Sequence, residues 1–409
     1  MIKLAWRNLW RRKRRTLITG FSIGFGVLLS VTFTGTGDYA YTNMIDAGAS
    51  MGYGHVTIEP VGYNQTPALD KRIGDTAALK ALALTQPEAK GAIVRILGQG
   101  MFATARKSVG GSFFGIDPQQ ESPAYNLLLR SITQGAVFDD THGRGVVIGS
   151  KMAEQLDLAL GKKLVYTTTD AHGDIVSEAA RVSGIFHTGI SEVDSAVVML
   201  PIDRLRKVLD YASDEATMVA VILDDQRRAN RVRDRLQQAI GDRAEVLSWR
   251  QTQPDLAGII NIDRSSNYVS QFLIGLLIAA GILNTLLMSV LERTREFGVM
   301  MAIGMTPGQL FRLVMTESFW LACFGLLLGA LITAPWFWYL VEYGLDFSAT
   351  IGEDYSAGGV LIDPIMHIRL FPESIVAILV GVFGLAMLSG IYPAWRAGRI
   401  PPVESLKAL

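Results

Sequence analysis

The sequence holds a single cysteine, Cys323, so no part of it is held by an intrachain disulfide and each folded part must be stable through its own core. Its five histidines, His55, His142, His172, His187 and His367, include no i, i+4 pair of the kind that grips a metal, which argues against a metal site. No phosphate-binding loop is present. The one Gly-Lys pair, Gly161-Lys162, is followed by Lys163 instead of Ser or Thr, and Leu156 stands where the other glycine belongs. The sequence therefore offers nothing with which to hydrolyse ATP. A lone G-x-S-x-G match, Gly20 to Gly24, lies in an apolar run without strand-turn-helix context and is not a nucleophile elbow. With no nucleophile, base or metal constellation, the sequence is not expected to encode an enzyme.

The most informative absence is of charge. Residues 16–37, 265–291, 318–341 and 374–395 contain no Asp, Glu, Lys or Arg, in a chain of 409 residues that carries 38 basic and 38 acidic side chains. Each stretch meets the length of about 20 apolar residues that crosses a bilayer, and the remaining segments carry the charge density of a water-soluble protein. A disordered or nucleic-acid-coating protein is excluded. The pattern predicts a polytopic α-helical membrane protein with four transmembrane helices and a large α+β extracytoplasmic domain, residues 38–264, between the first and second. Uncharged spans also argue against ion-driven transport, whose coupling path needs intramembrane charges.

Lys3, Arg7, Arg11, Arg12, Lys13, Arg14 and Arg15 precede the first span without an acid among them, which places the N-terminus in the cytoplasm. A cleaved signal peptide is the rival reading, but the apolar run is long and no A-x-A-like site follows it. Arg293, Arg295 and Arg312 in 292–317, and Arg396, Arg399 and Lys407 in the 396–409 tail, put those segments on the same side. The 342–373 loop, with Arg369 against Glu342, Asp346, Glu353, Asp354, Asp363 and Glu373, belongs on the other. Trp336, Trp338 and Tyr339, then Tyr392 and Trp395, close the third and fourth spans at interfacial depth. In residues 1–15, Ile2, Trp6, Leu9 and Trp10 share one helical face, which fits a helix lying along the inner leaflet as well as a plain topology signal.

Within 38–264, strand-like runs occur at His55–Ile58, Ala92–Leu97, Gly145–Ile148, Lys163–Thr168, Ala196–Leu200 and Met218–Leu223. Helical spacing marks Asp75–Leu84, Ser150–Leu158, Ile202–Leu209 and Arg227–Ile240. The arginines of the last of these read as a solvated face. In the spans, Gly20/Gly24 and Gly325/Gly329 are G-x-x-x-G pairs suited to close helix approach, with subunit pairing as one use, and Asn284 is placed to hydrogen-bond across helices.

The segment Glu292–Glu317 reads as helix, break, helix: Gly304 supplies the stop, Thr306 caps the next helix, Pro307 takes its first position and Gln309 completes a capping box. Its Phe297, Val299, Met300, Met301 and Ile303 suit a protein groove, with lipid packing as the plainer use. This segment resembles the cytoplasmic loop of the MacB/FtsX/LolCDE-type ABC-transporter permeases, written E-R-x-x-E-[IF]-G-[VI]-x-[RK]-A-[IL]-G. Glu292, Arg293, Arg295, Glu296, Phe297, Gly298, Val299, Met300, Ala302, Ile303 and Gly304 occupy it, with Met301 where a cation is common. The tail is similar too, through Pro393, Ala394, Ala397, Pro402, Glu404 and Leu406, with Ser405 in place of Ala. So are Gly115–Pro118, Gln134-Gly135 and Gly184–Leu200.

The resemblance implies a permease half that pairs with a second permease and docks two separate ATPase subunits, which bind ATP and Mg, on 292–304 as a coupling helix. It implies a bacterial inner-membrane location with both termini cytoplasmic, and a periplasmic domain interrupted by a second lobe at about 116–200. Within the family the sequence looks most like the lipoprotein-releasing LolC and LolE subunits. That points to lipoprotein or lipid as cargo, handed to a periplasmic carrier. MacB-like efflux through an adaptor and FtsX-like signalling to a cell-wall hydrolase are the alternatives.

Overall fold

The computed structural model describes residues 2–11, 13–347, 356–357, 360–361 and 365–399. Glu353, Asp354 and Asp363 of the 342–373 loop, and the tail from 400 with Pro402, Glu404, Ser405 and Leu406, lie outside the described residues. The chain divides into a membrane unit, Met1–Ala40 with Ile262–Asp346 and Ile365–Leu409, and a second unit, Tyr41–Asn261 with Phe347–Pro364.

The membrane unit is built on four helices long and apolar enough to span: Lys13–Gly48, Pro254–Glu292, Pro307–Glu342 and Pro372–Gly398. Each charge-free stretch lies inside one of them, and every helix runs beyond its stretch. Charge marks where hydrocarbon ends, not where helical hydrogen bonding ends, so Asp255 or Glu342 continues a helix in water without strain. The third helix starts where its cap signals it: Thr306 Oγ1 accepts from Gln309 N at 3.3 Å and Gln309 Oε1 accepts from Thr306 N at 3.0 Å, with Pro307 next.

Helices one and three meet through both glycine pairs. A Cβ on Gly24 would stand 3.1 Å from the Gly329 nitrogen, and on Gly325 and Gly329 it would stand 2.7 Å from Ile23 and 2.8 Å from Val27. Gly20 faces the Phe324 ring. Within the chain these glycines serve the close approach of the first and third helices, with Gly24 against the Gly329 backbone and the other three against side chains of the facing helix. Helices one and two are joined by polar contacts, Thr19–Thr285 at 2.8 Å, Gln271–Thr34 at 2.8 Å and Asn267 to the Phe33 carbonyl at 3.0 Å. Asn284 takes no part in them: it is exposed and has no partner among the described residues.

The second unit contains a mixed sheet of ten strands: β1 (Val56–Glu59), β2 (Ala89–Ala103), β3 (Ser108–Ile116), β4 (Ile132–Gly135), β5 (Gly145–Gly149), β6 (Lys163–Thr169), β7 (Ile175–Phe186), β8 (Val197–Pro201), β9 (Met218–Leu223) and β10 (Glu245–Ser248). The order is β10-β1-β9-β2-β3-β8-β5-β7-β4, with β6 against β2 and β7. All the strand-like runs and helical segments read from sequence fall on such elements, the last helix as Ala229–Ile240 behind a short turn. Its arginines are largely occupied: Arg227 and Arg228 by Asp225, Arg233 by Asp234 and Arg235 by Glu88.

Strand β2 serves two halves. Ala89–Arg95 pairs with β9 over a core that includes Ile58, Val219, Val232, Leu236 and Trp249. Ile96–Ala103 pairs with β3 over a second core that includes Phe102, Phe113, Ile148 and Val198. Leu205, Leu209 and Ala216 also belong to that second core, so the lobe is wider than 116–200. The strand passes from one half to the other without a turn residue to mark the passage. At the crossing, Arg95 forms a bidentate pair with Glu121, Nε–Oε1 2.8 Å and Nη2–Oε2 2.6 Å, both side chains almost wholly buried. Such a pair tolerates loss of neither partner.

At the edge of the first half, Glu59 stands opposite Glu245. Asn64 N–H donates to Glu59 at 2.9 Å and Gly62 N–H to Glu245 at 3.0 Å, pinning the intervening loop. Burial pushes the Glu59 carboxyl up from its ordinary 4.5 to about 7; the Asn64 hydrogen bond opposes this and the Glu245 charge adds to it.

Candidate coupling site between the second and third membrane helices

Glu292 ends the second membrane helix, Arg293 breaks it, and a short helix, Thr294–Ala302, follows. Gly304, at φ +105°, then reverses the chain in a conformation that only glycine adopts cheaply. This short helix has two faces with different fates.

The inward face is anchored by Arg293. Its guanidinium, about nine-tenths buried, donates from Nη1 to Glu317 Oε1 at 2.9 Å and from Nε to Glu296 Oε2 at 3.0 Å, and lies 5.0 Å from the Phe297 ring centroid. Burial pulls the Arg293 pKa down, but the Glu317 and Glu296 carboxylates outweigh it and hold the group above its ordinary value. Phe297 is buried in a cluster with Val290, Leu310, Val314, Ala394 and Ala397. Gly298 is buried beside it, and Met300 packs half-buried on the same cluster. This corrects the expectation that Phe297 and Met300 offer themselves to a partner. The helix lies on the first turns of the helix that follows it, and the 293/297/300 face is the one covered.

The outward face carries Arg295, Val299, Ala302 and Ile303, all exposed, Ile303 at 81%. Glu292 and Glu296 are exposed as well but turn to the N-terminal helix Ile2–Arg11 and the start of the first membrane helix: Arg15 reaches Glu292 at 3.1 Å and Arg11 reaches Glu296 at 3.4 Å. Asn8 donates to Glu317 at 2.9 Å, on the same oxygen that Arg293 holds. Trp6 and Trp10 of the N-terminal helix pack edge-on against Trp320 and Phe324, 5.0 and 5.5 Å between centroids. The face expected to meet lipid therefore lies against the third membrane helix. Asn8, Arg11, Arg15, Arg293 and Glu317, with Leu9, Leu286 and Leu321, line a cavity of about 190 Å³ among these elements.

Sequence reasoning missed Glu317 and Asn8. The available signal was a carboxylate directly before a charge-free run, where a charge needs a buried partner. Among the described residues no cluster of metal-ligating side chains occurs. Chemically, the arrangement is a fixed knuckle: an internal ionic pin on one side, an apolar contact face with one arginine on the other.

Residues 16–239 match the family model described as the MacB-like periplasmic core domain, and residues 268–402 that of the FtsX-like permease C-terminal. The chain is 23% identical over 342 residues to the lipoprotein-releasing system transmembrane protein LolC of Xylella fastidiosa, covering 80% of each. It is 25% identical over 434 residues to the macrolide export ATP-binding/permease protein MacB 2 of Aeromonas hydrophila, covering 99% of this chain and 60% of that one. The solved periplasmic region of MacB from Actinobacillus actinomycetemcomitans aligns with a TM-score of 0.36 at 14% identity, over 51% of this chain and 94% of the other. Four apolar helices and membrane-permease relatives mark an inner-membrane protein. The chain belongs to the MacB/FtsX/LolC family of ABC-transporter permeases, with a MacB-like periplasmic core domain ahead of an FtsX-like permease C-terminal part.

Proposed function

We propose that this permease receives the stroke of a separate ATPase pair, which binds ATP and Mg, on the Thr294–Ala302 helix and passes it to the MacB-like domain, and that the work done there draws lipoprotein or lipid from the membrane for a periplasmic carrier. The observation that carries the coupling step is the two-faced helix. Val299, Ala302 and Ile303 are exposed on the side opposite Phe297, while Arg293 and Glu317 fix the buried side. A contact face helps to transmit force only if its back is held. Cations before the first span and in 292–317 support a cytoplasmic placement of this helix and both termini, with the domain between the first two spans periplasmic.

Cargo is argued from energetics and likeness. At about 0.8 kcal/mol per buried CH₂, withdrawing three acyl chains costs roughly 30 kcal/mol or more, a load that calls for ATP. The similarity to LolC spans most of both chains. The similarity to MacB 2 spans nearly all of this chain and supports export through an adaptor as the second reading.

Purification from native membranes in mild detergent, with mass spectrometry of bound proteins and lipids, separates them. An ATPase with an acylated lipoprotein supports extraction; an ATPase with an adaptor and no acylated ligand supports export. Ile303→Glu should cut ATPase recovery about tenfold or more, as loss of a buried apolar anchor does. Undiminished recovery from that variant would overturn the docking face.

A further inference from the structure

Three carboxylates lie at the end of the membrane unit where the first span begins, and all three are engaged. Glu292 pairs with Arg15, Glu296 with Arg11 and Arg293, and Glu317 with Arg293 and Asn8. Among the described residues no other acid occurs in 2–19, 286–320 or 390–399. Lys13 and Arg14, both exposed, are left without a counter-charge from these segments. The fourth span's cations at this end are better served: Arg396 donates to the Tyr392 hydroxyl at 3.3 Å, and Arg399 lies 4.1 Å from the Trp395 ring centroid.

The sequence sets Lys13 and Arg14 over a particular surface. Leu17 follows Lys13 by four residues and Ile18 follows Arg14 by four, so each apolar side chain lies one helical turn below its cation. Phe21 and Phe25 continue the same face. All four are exposed, Ile18 at 68%, whereas Thr19, Gly20, Ile23 and Gly24 on the other side are buried. The N-terminal helix packs toward Trp320 and Phe324 and leaves this face uncovered. The stripe lies inside the charge-free stretch 16–37, and Arg14 stands two residues before its start. From Arg14 to Phe25 the helix rises about 16 Å at 1.5 Å per residue, close to the roughly 15 Å depth of one acyl layer.

An acidic water-soluble partner would answer the cations but not the stripe beneath them. A phospholipid answers both, with its phosphate at the level of Lys13 and Arg14 and an acyl chain along the helix. A zwitterionic headgroup brings an ammonium of its own against the two cations, so a headgroup of net negative charge fits better. We infer that Lys13, Arg14, Leu17, Ile18, Phe21 and Phe25 form a binding site for one anionic phospholipid of the leaflet that meets the start of the first span. This stands on the first helix being a span and is independent of the cargo and of the ATPase-docking face.

The full chain is placed in nanodiscs of phosphatidylglycerol and phosphatidylethanolamine in equal parts, re-extracted in mild detergent, and its retained lipid identified by mass spectrometry. Retention of phosphatidylglycerol about ten- to thirtyfold over phosphatidylethanolamine is expected, the preference that two cations at a headgroup supply. Lys13→Gln with Arg14→Gln should abolish the preference, and Ile18→Ala with Phe21→Ala should lower the amount retained. Arg7→Gln, which removes an exposed cation of the N-terminal helix, should change neither. The first variant keeps Lys3, Arg7, Arg11, Arg12 and Arg15 to orient the span, and its thermal unfolding in phosphatidylethanolamine alone should match the parent's. Equal retention of both lipids by the parent, or undiminished preference in the Lys13/Arg14 variant, overturns the site. An equal loss from Arg7→Gln reduces the effect to overall charge and overturns the location. Stabilisation against heat by inorganic phosphate as large as that by phosphatidylglycerol overturns a lipid as the ligand. Loss of a co-purifying protein from the Lys13/Arg14 variant, with phosphatidylglycerol still held, makes these cations a protein contact and overturns it too.

Discussion

Replacing Glu59 by Gln should make the MacB-like domain more stable at pH 8 and leave it unchanged at pH 4. In the folded chain Glu59 keeps its proton up to about pH 7, against an ordinary 4.5. The folded state therefore binds more protons than the unfolded one between these values, and stability falls as pH rises from about 4.5 to about 7. Above that window the whole penalty is present. The gap corresponds to roughly 3 kcal/mol, since each pH decade is worth about 1.4 kcal/mol. Gln keeps the oxygen that accepts from Asn64 N and removes only the charge that faces Glu245. Hydrogen exchange on the full chain in nanodiscs, read on peptides covering β1 and β10, compares variant and parent at the same pH, so intrinsic exchange cancels. About a hundredfold slower exchange at pH 8, shrinking to parity at pH 4, is expected. Equal exchange at both pH values, or faster exchange of the variant at pH 8, refutes the reasoning.

Glu317→Leu alone should cost about 3–5 kcal/mol by stranding the Arg293 cation, whereas Arg293→Leu with Glu317→Leu should cost far less; thermal unfolding in detergent reads both. If the single and double variants are equally damaged, the pair is not a buried pin. Gly325→Leu forces a side chain against Ile23 and should lose about 1–3 kcal/mol of thermal stability. Gly381→Ala, which meets nothing within 4 Å, should lose none and can gain up to about 1 kcal/mol from helix propensity. Arg95→Met should destabilise the MacB-like domain by about 3–5 kcal/mol, visible as lost protection in both halves of β2, and Arg95→Met with Glu121→Leu should recover much of it.

The spans were legible because hydrocarbon excludes charge over a fixed length, and the Thr306-Pro307-Gln309 start because a cap is written locally. Strands such as Met218–Leu223 announced themselves by β-branched runs. What sequence did not disclose was each motif's partner. Gly20 and Gly24 said that something comes close, and only the fold says it is the Phe324 ring and the Gly329 backbone. The short helix Thr294–Ala302 has too few turns for periodicity to tell its inner face from its outer, so nothing in the sequence marks Phe297 as an inward residue. Arg293 and Glu317 are separated by a helix break, beyond the reach of any local pairing rule. Asn8 comes from another helix altogether. The extent of the second core is not legible because Val94-Arg95-Ile96-Leu97 carries no turn residue where β2 passes from one half to the other.

That uninterrupted strand decides how the domain can be divided. A chimera that exchanges residues 116–200 with a relative would leave β3 and the far half of β2 in the host while taking away β8 and β6, the strands that pair with them, so donor and host would have to match strand for strand. Cutting instead between Arg95 and Ile96 and between Thr217 and Met218 moves β3 to β8 with the half of β2 that they pair with. The graft then carries most of its own core, and Arg95, left behind with the host, must find a carboxylate waiting at the position of Glu121.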